Sequence, residues 1–209
     1  MAYIRVRPHK GINDCTRIVS YKLVLVGDAG VGKSTYIKRL LTGEFETKYV
    51  PTCGVTVNRL TFSTTKGPVS FKVYDLAGQE RIGTDQSTHY TDADCAIVMY
   101  DCHSKLSLQN VQVWINDIHR NCGDIPIVVC GNKCDVKGRQ YFSRRDETQW
   151  LISAKSNMNY EKPFLHLIRV LKEDQELEFT PSPAMEPPEV TLSPEILTQY
   201  SRELTTAHL

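Results

Sequence analysis

Gly27-Asp28-Ala29-Gly30-Val31-Gly32-Lys33-Ser34 follows the apolar, β-rich run Lys22 to Val26. It fits G-x-x-x-x-G-K-[ST], a strand-to-helix turn whose glycines let backbone N–H groups point inward and cradle phosphate oxygens. The helix beginning near Lys33 would add its positive end, and the Lys33 ammonium would reach the outer phosphates. The Ser34 hydroxyl would ligate Mg²⁺, with Thr35 beside it. Taken alone, the stretch implies a nucleoside triphosphate, and the bland alternative is a glycine-rich turn that holds nothing.

The elements on either side are consistent with that turn. Val55–Phe62 and Pro68–Asp75 flank Thr64-Thr65-Lys66-Gly67, which reads as a hairpin and one antiparallel edge. Cys95–Asp101 and Ile125–Cys130 are continuous apolar runs, as expected of strands buried on both faces. A last strand is expected over Trp150–Ser153. Leu108, Val111, Ile115 and Ile118 recur at helical spacing, as do Phe164, Leu167, Ile168 and Leu171. The expectation is an α/β fold of the P-loop NTPase kind, with a six-stranded, mostly parallel sheet and helices on both faces. Pro181, Pro183, Pro187 and Pro188 then break the chain, and Ser193-Pro194-Glu195 opens a helix whose Ile196, Tyr200 and Leu204 share a face suited to docking. The division is an N-terminal extension over 1–20, a nucleotide-binding domain over 21–172, and an acidic linker with the docking helix over 173–209.

Three further motifs fall at strand ends, where open α/β sheets bind ligands. Asp75-Leu76-Ala77-Gly78-Gln79 offers a carboxylate for Mg²⁺, an N–H at Gly78 that could sense a terminal phosphate, and Gln79 to orient a hydrolytic water. Asn132-Lys133-Cys134-Asp135 offers a carboxylate that can accept both N1–H and the 2-amino group of guanine. Adenine lacks that donor pair, so a buried Asp135 would be left unpaired against it. Ser153-Ala154-Lys155 places an N–H near the base O6. Each motif alone is weak, but their order and placement together are specific to guanine.

Composition narrows the class. Glu173 to the end carries eight acidic residues against Arg202, a charge of −7 beside a body of +8. Seven scattered cysteines form no C-x-x-C pair, so neither a disulfide framework nor a zinc site is expected. There is no apolar run of spanning length, no signal-peptide pattern and no cysteine near Thr-Ala-His-Leu for prenylation, so a soluble chain is expected. Arg5, Arg7, Lys10 and Arg17 read as solubilising, and no specific nucleic acid is expected.

These motifs resemble the guanine-nucleotide motifs of the Ras superfamily. Within it, the Ran-type small GTPases are the most similar, through Leu41–Glu46, Lys48-Tyr49-Val50, Ile125–Val128, Ser153–Asn157, Glu161–Phe164, Leu177-Glu178-Phe179 and Pro187–Val190. The resemblance covers about Tyr21 to Tyr200. It implies GTP/GDP and Mg²⁺ as cofactors, with Ser34, Thr52 and Asp75 about the metal, and Gln79, Thr52 and Lys33 as catalytic residues. It also implies nucleotide contacts from Phe45, Glu46, Lys48 and Tyr49. Implied partners are importin-β- and exportin-type transport receptors, an exchange factor and a GTPase-activating protein (GAP). A monomer in nucleus and cytoplasm, without a membrane anchor, follows from the same resemblance.

The chain departs from that pattern at four places. Ala29 stands where the family has glycine, beside the γ-phosphate, and Leu76 replaces a threonine. The stretch from Asp135 to Ser153 is shorter and less lysine-rich, keeping Arg144 and Arg145. An Asp-rich end after the helix is missing, which puts recognition by Ran-binding domains in doubt. Two readings therefore lead: a hydrolysing transport GTPase, and a weakly hydrolysing, nucleotide-bound interaction module. A membrane-trafficking GTPase, disfavoured without a cysteine to prenylate, and a generic P-loop ATPase, disfavoured by Asp135, rank below them.

Overall fold

The computed structural model describes residues 18–46, 51–52, 54–78, 87–142 and 148–180. The elements run β1 Val19–Gly27, α1 Lys33–Thr42, β2 Val55–Phe62, β3 Val69–Leu76, α2 Ser87–Tyr90, β4 Cys95–Asp101, α3 Lys105–Cys122, β5 Ile127–Asn132, β6 Gln149–Leu151 and α4 Lys162–Lys172. Among the described residues the sheet has six strands, in the order β2-β3-β1-β4-β5-β6. Of these, β2 alone runs antiparallel, paired with β3 from Val55↔Leu76 to Phe62↔Val69.

Central strands that read as unbroken apolar runs are buried on both faces. Alternate residues of β1 go to opposite sides: Leu23 and Leu25 join Tyr36 and Ile37 of α1 and Phe164, Leu167 and Ile168 of α4. Val24 and Val26 join Tyr90 of α2 and Val111, Trp114 and Ile118 of α3. Helices therefore cover both faces, as expected. α3 begins at Ser104, whose side chain accepts from the Ser107 N–H, a cap that satisfies one of the free first-turn donors. α4 carries Pro163 in its first turn, where its missing N–H costs nothing.

Strand limits differ modestly from expectation. The fifth strand pairs from Ile127, after Pro126, which has no N–H to donate to a ladder. The sixth is Gln149–Leu151, and Ser153 instead bridges Met158. A larger correction concerns residues 173–180, expected to open an acidic linker. Leu177 is fully buried, Phe179 stacks on Phe62 with ring centroids 4.9 Å apart, and Thr64 forms a bridge with Phe179. The Thr180 N–H donates to the Ser63 carbonyl at 2.9 Å, so this segment straps onto the β2–β3 hairpin. Of the N-terminal extension expected over 1–20, Val19 and Ser20 belong to β1, and residues 1–17 lie outside the described residues, as do Arg144, Arg145 and the helix expected near Ser193.

Candidate nucleotide and metal site

At the carboxyl ends of the parallel strands lies a cavity of about 420 Å³. Its walls come from four separate stretches: the turn after β1, Gly78 after β3, Asn132, Lys133 and Asp135 after β5, and Ala154 with Lys155 after β6. Phe45 and Glu46 close one side, and Pro51 and Thr52 another.

The turn after β1 is built around glycine. Gly32 has φ +97°, a left-handed conformation, and a Cβ there would lie 2.5 Å from Asn132 Nδ2. That closeness is used: Asn132, 2% exposed, donates from Nδ2 to the Val31 carbonyl at 2.9 Å and accepts the Ala154 N–H on Oδ1 at 3.2 Å. One buried amide thus fastens the β5 end to the turn after β1 and to the loop after β6. Lys133 adds a second tie, donating to the Gly30 carbonyl at 2.8 Å and pairing with Asp101 at 2.7 Å. Gly78 packs so closely on the same turn that a Cβ would sit 2.3 Å from the Ala29 nitrogen.

Lys33 is buried, and its Nζ donates to the carbonyls of Gly27 at 2.8 Å and Asp28 at 3.1 Å. Burial pushes its ammonium down to about 8, opposed by the charges of Asp75 and Asp28. At Ser34, three side-chain oxygens converge. Its Oγ lies 2.6 Å from Thr52 Oγ1 and donates to Asp75 Oδ2. Asp75 is 1% exposed, burial raises its pKa, and its Oδ1 is buried with no hydrogen-bond partner among the described residues. An orphaned carboxylate oxygen beside two hydroxyls is a donor set suited to a hard divalent cation, which prefers oxygen ligands.

The model of the Ras family matches residues 22–173. The chain belongs to the Ras family. It is therefore a guanine-nucleotide-binding small GTPase, and Ras-family proteins use GTP/GDP and Mg²⁺ generally. The residues present fit that cofactor pair: a glycine turn with Lys33 could hold phosphates, the oxygens of Ser34, Thr52 and Asp75 could hold the metal, and the Asp135 carboxylate could meet the base.

Most residues expected at the site of this Ras-family chain line the cavity: Ala29, Gly30, Gly32, Lys33, Ser34, Thr35, Phe45, Glu46, Thr52, Gly78, Asn132, Lys133, Asp135, Ala154 and Lys155. Lys48, Tyr49 and Gln79 lie outside the described residues. Asp28, Val31, Asp75 and Ser153 do not line it, Asp75 lying buried behind Ser34. The Val31 side chain is buried in the core, and Asp28 turns its carboxylate toward α3. Ser153 acts through a neighbour, its hydroxyl donating to Asp135 Oδ1 at 2.7 Å. Asp135, expected to be buried, is exposed. It lines the cavity, so a base held against it would itself be its cover.

Three lining residues escaped the sequence reading: Lys38, Pro51 and Val136. Lys38 lies one turn beyond Ser34 and pairs with Glu46 at 2.5 Å across the rim. Its spacing from Ser34 was the available signal.

Proposed function

We propose that this Ras-family chain is a Ran-type transport switch. It holds guanine nucleotide and Mg²⁺ in the cavity, hydrolyses GTP slowly until a GAP assists, and engages importin-β- and exportin-type receptors in the GTP form. An exchange factor restores GTP, and the protein works as a monomer in nucleus and cytoplasm. In this reading Asp135 accepts the guanine N1–H and 2-amino donors, the Ala154 N–H meets O6, and Lys33 meets the outer phosphates. Ser34, Thr52 and Asp75 surround Mg²⁺, and Gln79 orients the water.

The observation that carries the switch reading is Asp75–Gly78. One short stretch supplies the metal carboxylate and then touches the phosphate turn at Gly78, so γ-phosphate loss would be felt directly at the end of β3. Support for Ran-type partners comes from the resemblance, above all at Leu177-Glu178-Phe179. They extend beyond the span matched by the Ras family, and Leu177 and Phe179 pack against the body. The test is calorimetry of GTP- and GDP-loaded protein with an importin-β-type receptor at physiological salt. Tight binding of the GTP form alone is expected, and equal or absent binding in both states would overturn the partner assignment.

A weakly hydrolysing interaction module is favoured by one observation, the position of Ala29. Its backbone is already wedged against Gly78, and its methyl group is the added bulk beside the cavity. GAP stimulation in such systems is on the order of 10⁵-fold, or about 7 kcal/mol, so slight crowding can remove much of it. Single-turnover hydrolysis with a Ran-type GAP distinguishes the two readings. If Ala29→Gly raises the GAP-stimulated rate by about tenfold or more, the module reading gains. Full stimulation of the unaltered chain would remove it.

A further inference from the structure

A carboxylate in a turn expected to hold phosphates is an electrostatic liability unless its oxygens are turned away and engaged elsewhere. Asp28 meets that condition. Its Oδ1 accepts from Trp114 Nε1 at 2.9 Å and its Oδ2 accepts from Asn110 Nδ2 at 2.6 Å, so both oxygens are engaged by α3. Trp114 is 3% exposed and fixed in the core with Val111 and Ile118, so its N–H is a rigid anchor. Asn110 and Trp114 are four residues apart, one above the other on one side of the helix. The backbone of Asp28 is held from a second direction. A Cβ at Gly78 would approach its carbonyl carbon to 2.4 Å, and its carbonyl oxygen accepts from Lys33. Residues 28 and 29 are thus gripped between α3 and the end of β3.

We infer that Asp28 is a positioning residue for nucleotide retention, and that Asn110 and Trp114 form a clamp through which α3 sets the phosphate turn. The inference rests on the nucleotide-site reading above and specifies how that site is held. The Asp28 side chain need not touch the ligand. By fixing the peptide between residues 28 and 29, it fixes the Lys33 acceptor and the inward path of the Ala29 and Gly30 backbone. Such preorganisation acts on residence time, since a turn already in place loses less freedom on binding. It also makes α3 a lever: anything that shifts Asn110 or Trp114 shifts the turn.

The test is release of a fluorescent GDP from the full chain with Mg²⁺ present, alongside melting temperature. Asn110→Asp sets one carboxylate against another and is expected to speed release about tenfold or more, the loss of one charged hydrogen bond. Trp114→Phe keeps a ring in the core without the N–H and is expected to speed release several-fold. The deciding variant is the exchange Asp28→Asn with Asn110→Asp, which restores a donor facing a carboxylate with the roles reversed. It should return release to within about threefold of the unaltered chain, a recovery that a general loss of stability would not give. Unchanged release in Asn110→Asp and Trp114→Phe, or an exchange variant as fast as Asn110→Asp at equal melting temperature, overturns the clamp. An unaltered chain that retains no GDP overturns the nucleotide-site reading, and the clamp with it.

Discussion

Asp135→Asn is expected to lower affinity for guanine nucleotide by about two orders of magnitude or more and to turn the preference toward xanthine nucleotide. In the proposed pose the carboxylate accepts two donors from one face of guanine, each such charged bond being worth about 1.5–3 kcal/mol. An amide keeps one acceptor but sets its NH₂ against the guanine 2-amino group. Xanthine presents an oxo group there, so the same NH₂ gains an acceptor. The side chain is well placed for such a change, because Ser153 orients one oxygen at 2.7 Å and the residue is exposed, so the fold does not depend on it. Competition titrations with the two nucleotides measure the ratio. A ratio that stays put would remove Asp135 from base recognition, and with it the specificity half of the proposed site.

Asp75→Asn is expected to separate stability from function. Burial raises the Asp75 pKa, so its ionised form costs the folded chain free energy. For an acid raised on folding, the contribution to stability is fullest below the unfolded carboxylate range. It is lost as pH rises through the higher folded value. At pH 7 in chelator the ionised group is therefore a burden, and the amide should melt higher, by about 3 °C for each kcal/mol relieved. The gap should narrow toward pH 4. With Mg²⁺ the order reverses: the cation stabilises the unaltered chain by mass action and slows GDP release, whereas the variant should lose most of that slowing, on the order of 100-fold. If GDP release from the Asp75→Asn variant still slows normally with Mg²⁺, Asp75 is excluded from the metal site.

The readable parts of this molecule were those encoded locally. Gly32 and Lys33 mark a turn by adjacency, and β4 and β5 announce burial on both faces by unbroken apolar runs. What could not be read was pairing over distance. Asp28 was grouped with the phosphate ligands because it sits among them, yet its acceptors face residues 82 and 86 positions away. Asn132 was legible as part of a motif, but not as the amide joining Val31 to Ala154. Asp135 is expected to be buried if it selects a base, yet it lines the cavity as an exposed residue, a placement that no local pattern marks. The strap at 173–180 was legible but outweighed: Leu177 and Phe179 alternate with Glu176 and Glu178, the period of a half-buried strand, inside a stretch whose net charge argued for solvent.

That strap also decides where the remaining chain is tethered. Thr180 is bonded at Ser63, by the β2–β3 hairpin, whereas the cavity lies beyond Gly27, at the opposite end of β1. The nine residues of β1 make that height about 30 Å, which an extended chain covers with roughly nine residues. Any side chain fewer than about nine residues beyond Thr180 is therefore out of reach of the nucleotide end.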